Sequence, residues 1–274
     1  MAEKALLSEI TRIAVEAGRE IMIVYESAHD VDVEEKADGS PLTAADRNAH
    51  DLICDRLDAL TPEIPLVSEE SIGLDTDERL AWACLWLIDP LDGTKEFIQR
   101  NGEFTVNIAL IEQGQPVLGV VHIPARRVSY FAAHRKGAWR QTESHAPEKI
   151  RTQSYRGGAA RMAASRSHSG QPVERFREAL EAHSGQPVQA VAMGSSLKIC
   201  LVAEGQADVY PRLGPTSEWD IGAAHCVLNE AGGSILDCNG NQLVYNKRDL
   251  RNPWFIAMGD PTYNWIDLCP HSSA

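Results

Sequence analysis

The chain has 274 residues, 43% hydrophobic and 24% charged, the balance of an ordinary globular protein with room for a large core, as one unit or two packed subdomains. Its net charge of −13, from 26 Lys+Arg against 39 Asp+Glu, argues against a nucleic-acid backbone as main partner, although metals or local bases can still admit a small anion. The N-terminus lacks a basic start and apolar core, the longest wholly apolar run (81–88) is too short for a bilayer, and the six cysteines form no Cys-x-x-Cys pair, so a cytoplasmic protein with reduced, buried thiols is expected.

Leu6, Ile10, Ile13, Ala17, Ile21 and Val24 recur at three- and four-residue spacing and predict an amphipathic packing helix over 3–27. Residues 29–42, acidic with Gly39 and Pro41, predict a hairpin or loop in which Lys36 reads as solvated. Thr43-Ala-Ala-Asp46 resembles a capping box opening a second helix, with Ala45, Ala49, Leu52, Ile53 and Leu57 on its apolar side. Taken alone, Asp46 is a helix-start carboxylate favoured by the dipole. Residues 64–67 then predict a short strand that ends abruptly in Ser68-Glu69-Glu70.

The stretch Trp86-Leu-Ile-Asp-Pro-Leu-Asp-Gly-Thr-Lys-Glu-Phe97 carries the chemistry. A buried strand from Cys84 is expected to stop at Asp89, because Pro90 has no N–H for a ladder. Asp92 follows, and Gly93-Thr94 can turn sharply and offer backbone N–H groups to an anion. Ligand groups of layered α/β proteins collect at such strand ends. A carboxylate beside a phosphate repels it by about 4 kcal/mol per unit-charge pair at about 4 Å and intermediate dielectric. Such a site makes sense only with divalent cations between the two, the first sign of metal-dependent phosphoryl chemistry.

Val- and Ile-rich runs at 104–111 and 117–123 predict a hairpin, 128–133 a third strand, and 136–139 a turn into another. The polar residues 141–160 read as a crossover between subdomains, set at 1–145 (helices, antiparallel sheet and metal motif) and 146–274 (α/β, substrate side). Beyond it, strands at 161–164, 188–192, 207–210, 234–236 and 254–257 are interspersed with helices at 172–182, 195–204 and 220–231. Asp220, in Glu218-Trp219-Asp220, falls at a helix start and by itself reads as a cap. Trp82, Trp86 and Trp139 read as packing residues, and Trp219 as packing that fixes Asp220.

Asp89-Pro-Leu-Asp-Gly-Thr94 with Glu218-Trp-Asp220, together with Glu69 and Thr-Ala-Ala-Asp46, resembles the paired signature of the inositol monophosphatase superfamily over nearly the whole chain. Residues 95–107 and Gly194-Ser-Ser-Leu-Lys198 are similar to its bacterial 3'(2'),5'-bisphosphate nucleotidase branch. The resemblance implies a layered αβαβα sandwich of the inositol monophosphatase/fructose-1,6-bisphosphatase type. It further implies one ion on Glu69, Asp89 and the Leu91 carbonyl, and a second shared by Asp89, Asp92 and Asp220. With neither His nor Cys among them, these hard oxygen donors favour Mg²⁺. Gly93 and Thr94 would contact phosphate, and Thr94 with Asp46, helped by Glu69, would orient or deprotonate the attacking water.

By the same resemblance, Ser195, Lys198 and Arg212 would hold the other phosphate and the ribose of a nucleotide, with His168 lining that pocket. Lys198, on an apolar helix face, could instead snorkel to solvent. The implied reaction removes the 3'-phosphate from adenosine 3',5'-bisphosphate to give AMP, with 3'-phosphoadenosine 5'-phosphosulfate as a second substrate, lithium inhibition, and a place in sulfur assimilation. The expected location is cytoplasmic, with peripheral attachment to the inner membrane as its alternative, and monomer and homodimer both stay open. Rival functions are an inositol or sugar-phosphate phosphatase of the same superfamily, an aspartyl-phosphate phosphatase, whose carboxylates stand two apart rather than three, and a non-catalytic metal or anion binder.

Overall fold

A computed structural model describes residues 2–27, 33–35, 41–71, 74–165 and 170–270. Helix α1 (Ala2–Ser27) buries Ile10, Ile13, Ala14, Ala17 and Ile21, the stripe that its spacing predicts. Strands β1 (Val33–Glu35) and β2 (Pro41–Thr43) pair antiparallel and lead into α2 (Ala44–Leu60), where Thr43 and Asp46 form the expected capping box. Lys36 lies outside the described residues. There follow β3 (Leu66–Ser68), α3 (Thr76–Leu80), β4 (Cys84–Asp92), α4 (Thr94–Ile98), β5 (Thr105–Glu112) and β6 (Gln115–Ile123). Strands β7 (Val128–Ala133), β8 (Gly137–Thr142) and β9 (Glu148–Ile150) complete the first half. The second half holds β10 (Arg161–Ala164), α5 (Gln171–Ser184), β11 (Gln189–Ala192), α6 (Leu197–Ala203) and β12 (Val209–Arg212). It ends with α7 (Glu218–Ala231), β13 (Ser234–Asp237) and β14 (Phe255–Met258).

Strands β3 to β9 form one seven-stranded sheet in chain order, antiparallel except at the β3–β4 edge. A five-stranded mixed sheet has the order β11-β10-β12-β14-β13. Helices α1 and α2 cover one face of the large sheet, α6 and α7 lie between the sheets, and α5 packs on the outer face of the small one. This is the expected αβαβα sandwich. Because both faces of the large sheet are covered, β4 and β5 read as near-continuous apolar runs rather than alternating ones. Helix α7 approaches β6 so closely that a Cβ on Gly119 would stand 2.3 Å from the Ala223 carbonyl oxygen.

Several expectations need correction. Strand β4 does not stop at Asp89; it runs through Pro90 to Asp92. Asp89 pairs with Asn107 and Asp92 with Thr105, so two residues of β4 oppose one of β5 in a bulge, where a proline can lack its N–H without breaking a ladder. The crossover starts later than 141, since Glu148–Ile150 still belongs to the large sheet. Ser217 is the N-cap of α7, and Asp220, expected as the cap, sits three residues on and closes a capping box by accepting the Ser217 N–H. The thiols are not all reduced, because Cys238 and Cys269 are disulfide-bonded with Cα atoms 5.8 Å apart. Both lie in the apolar cluster that gathers the C-terminal segment around Trp265, so packing brings together cysteines that sequence spacing does not relate. Cys54, Cys84, Cys200 and Cys226 are free.

Candidate metal centre

The β4 bulge turns the end of a buried strand into a concentrated source of carboxylate. Asp89 is 1% exposed, and its Oδ1 accepts a hydrogen bond from the Leu91 N–H at 3.1 Å. Parallel pairing of β3 with β4 sets the Glu69 N–H 3.0 Å from the Ile88 carbonyl, which brings Glu69 beside Asp89. Asp220 arrives from the opposite side, in the first turn of α7, where its Oδ2 accepts from the Ser217 N–H at 2.9 Å. Glu69, Asp89 and Asp220 each offer a carboxylate oxygen within 4.8 Å of the other two. Asp92 stands outside that trio: its Oδ2 accepts the Ser196 N–H at 2.6 Å and lies 3.5 Å from the Thr105 hydroxyl.

Burial, then the charges of Glu69, Asp92, Asp220 and Asp46, push the Asp89 carboxyl well above the usual range. Asp220 is raised to about 8, by burial first and then by Asp92. Asp92 is raised to about 6 by burial, with Lys198 and the Ser196 N–H pulling the other way. Acids crowded and desolvated in this way, all hard oxygen donors, fit a divalent cation of the Mg²⁺ type.

Gly93 has φ +91°, a left-handed turn that suits glycine and aims the chain from β4 into α4. The Thr94 hydroxyl lies 3.5 Å from Asp46 Oδ1 and 3.4 Å from the Leu91 carbonyl, at the outer limit of hydrogen bonding. Asp46 Oδ2 meanwhile accepts from both the N–H and the hydroxyl of Thr43, which fixes its carboxylate. The second helix thus delivers Asp46 to the strand that carries Asp89.

A cleft of about 1010 Å³ opens over these groups, lined among others by Glu69, Asp89, Leu91, Asp92, Gly93, Thr94, Arg212 and Asp220. Two other hollows, of about 510 and 840 Å³, run beside α1 without comparable convergence. Arg212 donates to the Pro215 carbonyl at 2.6 Å, while its Nε is buried with no partner. Ser195 adopts φ +46°, a conformation rare outside glycine. Lys198 does not snorkel; it is 4% exposed, and its ammonium donates to the Ser195 carbonyl at 2.7 Å over the face of Tyr210. Burial lowers it to about 8. It braces the loop from behind rather than lining the cleft. His168 falls outside the described residues. Trp219, expected only to pack, also lines the cleft, as do Lys95 and Arg251.

Glu218 belongs to the quoted signature, but its sequence context assigns it no role. It is fully buried, accepts the N–H groups of Asn246 and Lys247 at 2.6 and 3.1 Å, pairs with the Lys247 ammonium, and so anchors the start of α7.

A layered αβαβα sandwich with carboxylates converging in a cleft between its sheets defines the metal-dependent phosphatase class. The chain belongs to the inositol monophosphatase family, whose sequence profile matches residues 5–257. It is 47% identical over 251 residues to the 3'(2'),5'-bisphosphate nucleotidase CysQ of Escherichia coli O157:H7, covering 91% of this chain and 98% of that one. It is 36% identical to the CysQ of Haemophilus influenzae, covering 96% of each chain. Among solved structures, CysQ of Bacteroides thetaiotaomicron, a bacterial member of the family, superposes with a TM-score of 0.82 at 40% identity over 93% of this chain and 97% of its own.

Proposed function

We propose that this chain is a Mg²⁺-dependent 3'(2'),5'-bisphosphate nucleotidase that hydrolyses adenosine 3',5'-bisphosphate to AMP and phosphate. The observation that carries this reading is the Glu69–Asp89–Asp220 trio within 4.8 Å, with Asp92 beside it, in a cleft that also exposes Arg212. The likeness to CysQ proteins at 36–47% identity supports the nucleotide over inositol.

Glu69, Asp89 and Asp220, with Asp92 and the Leu91 carbonyl, would hold the ions. Bound divalent cations would polarise the phosphoryl oxygens and stabilise the leaving alkoxide. The backbone of Gly93 and the Thr94 hydroxyl would contact the scissile phosphate. Thr94 and Asp46, aided by Glu69, would orient or deprotonate the attacking water, the hydroxyl passing the proton on to the Asp46 carboxylate. The forked guanidinium of Arg212 would bind the second phosphate, which inositol monophosphate lacks. Ser195 would join it from a loop that Lys198 stiffens, so the lysine would act on that phosphate through the field and the loop. The place in sulfur assimilation and the cytoplasmic location belong to the same reading. Among the described residues no helix is long and apolar enough to cross a membrane.

A phosphate-release panel tests this, with adenosine 3',5'-bisphosphate, its 5'-phosphosulfate relative, inositol 1-phosphate and a sugar phosphate, each with and without Mg²⁺. The nucleotide is expected to be fastest, with no turnover in EDTA. Asp92→Asn is expected to lose at least about a hundredfold in rate, on the order of ~3 kcal/mol at the transition state. Preference for inositol 1-phosphate would move the chain to the sister activity. No hydrolysis of any ester would return it to a binding role.

A further inference from the structure

Asp92 is not held by its own strand. Its Oδ2 takes the Ser196 N–H at 2.6 Å, and Ser196 belongs to the loop entering α6, across the boundary between the two sheets. The Ser196 hydroxyl is in turn fixed by two residues of β5. Its oxygen lies 2.9 Å from the Thr105 hydroxyl and 2.9 Å from Asn107 Oδ1. An amide oxygen only accepts, so Ser196 donates to Asn107 and receives from Thr105, and one direction runs through the chain. Thr105 and Asn107 stand two apart on β5, on one face of the sheet, and neither is exposed to solvent.

The loop is also pressed onto the metal motif. The Gly194 N–H donates to Glu103 Oε2 at 2.8 Å, and a Cβ on Gly194 would stand 2.8 Å from Glu96 Cγ and 2.9 Å from the Glu103 carbonyl oxygen. Asn107 meanwhile keeps a buried Nδ2 with no partner, a costly arrangement that calls for a reason.

We propose that Thr105, Ser196 and Asn107 are positioning residues that hold Asp92 in its ligating orientation, so that the affinity of the metal centre is set from across the sheet boundary. The Ser196 N–H occupies one oxygen of Asp92 and leaves the other for an ion. Outer hydrogen-bond partners of ligands act in this way at metal sites generally. The inference rests on the proposed reading of Asp92 as a ligand.

The test compares Thr105→Val, Ser196→Ala, Thr105→Ser and Asp92→Asn with the unchanged protein. Mn²⁺ binding is read from the free-ion electron paramagnetic resonance signal, and Mg²⁺ half-saturation from phosphate release. Thr105→Val and Ser196→Ala are expected to weaken Mn²⁺ binding about tenfold or more. They should raise the Mg²⁺ half-saturation in parallel while keeping kcat at saturating Mg²⁺ within about threefold, since the ligands themselves remain. Thr105→Ser, which keeps the hydroxyl, should restore the unchanged values. If both hydroxyl deletions bind Mn²⁺ normally while Asp92→Asn does not, the relay is packing and the inference fails alone. If Asp92→Asn also binds normally, Asp92 is no ligand, and the proposed metal assignment falls with it. Ser196→Ala keeps the backbone N–H and carries the test should Thr105→Val not fold.

Discussion

Asp89, Asp92 and Asp220 are buried carboxyls crowded together, so protons stand in for cations when no metal is bound. Asp220 at about 8 and Asp92 at about 6 both lie above the ~3.9 of an unfolded aspartate. Between those values the native state holds protons that the unfolded chain has released. Stability of the metal-free protein therefore falls as pH rises through that window. His122 and His225, buried and lowered to about 4, act with the opposite sign, because the unfolded chain binds their protons first. Their contribution rises with pH and is complete by about 6.5. Above that pH Asp92, at about 6, has largely released its proton and Asp220 carries the slope, at up to about 2 kcal/mol between pH 6.5 and 8. The melting temperature in EDTA is expected to fall across that range, and saturating Mg²⁺ should remove the slope. Calorimetry returning parallel curves with and without Mg²⁺ would show that these acids do not share an ion.

Asp220 reaches the cleft only because α7 is seated correctly, and that seat is a contact between two backbones. Gly119 on β6 lets the Ala223 carbonyl approach, and a methyl group there would stand 2.3 Å from that oxygen. Gly119→Ala is expected to cost about 1–3 kcal/mol or more, as overpacked cores do, and to lower activity by displacing the helix start. Urea unfolding and Mg²⁺ half-saturation measured together would check it; unchanged values in both would mean that α7 is not held there. The long elements were legible in the sequence because their patterns are strong. The stripe of α1 and the Thr43–Asp46 capping box map directly onto helices. The β4 strand was cut short because proline reads as a terminator, and only its partner strand reveals the bulge that accommodates it. Helices α3 and α4, five residues each, are too short to show a period. At the site, the acids and Thr94 were legible from a spaced signature. The hydrogen-bond chain behind Asp92 is not, since Thr105, Asn107 and Ser196 are ordinary residues in sequence, and only tertiary pairing links Ser196 to Asp92 and the other two to Ser196. The snorkelling alternative for Lys198 fails for a related reason: its helix is buried on every side, so the ammonium turns back to its own loop.

At the scale of the molecule, the cleft and the disulfide sit in different layers. The cleft lies where the large sheet, α7 and the loop before α6 meet, and its parts are held by the N–H groups of Ser196 and Ser217, which donate to Asp92 and Asp220, and by Glu218, which accepts the Asn246 N–H. The Cys238–Cys269 bond instead ties the C-terminal segment to the end of the small sheet, inside the cluster around Phe176 and Trp265. Among its described residues that segment contains only a short 3₁₀ turn (Ile266–Leu268), so little regular backbone bonding supports them. The disulfide closes a loop of 31 residues. Restricting the unfolded chain by a loop of that size is worth about 3–4 kcal/mol in the chain-entropy account. Cys238→Ser, Cys269→Ser or reduction with a thiol is therefore expected to lower unfolding stability by about that amount, read by urea titration. Turnover at saturating Mg²⁺ should not change below the unfolding transition, because neither cysteine lines the cleft. Loss of activity in step with reduction, before any loss of secondary structure, would show instead that the outer layer supports the catalytic one. The fold would then behave as one cooperative stack in which the tail of the chain helps hold residues 69, 89 and 220 within reach of a shared ion.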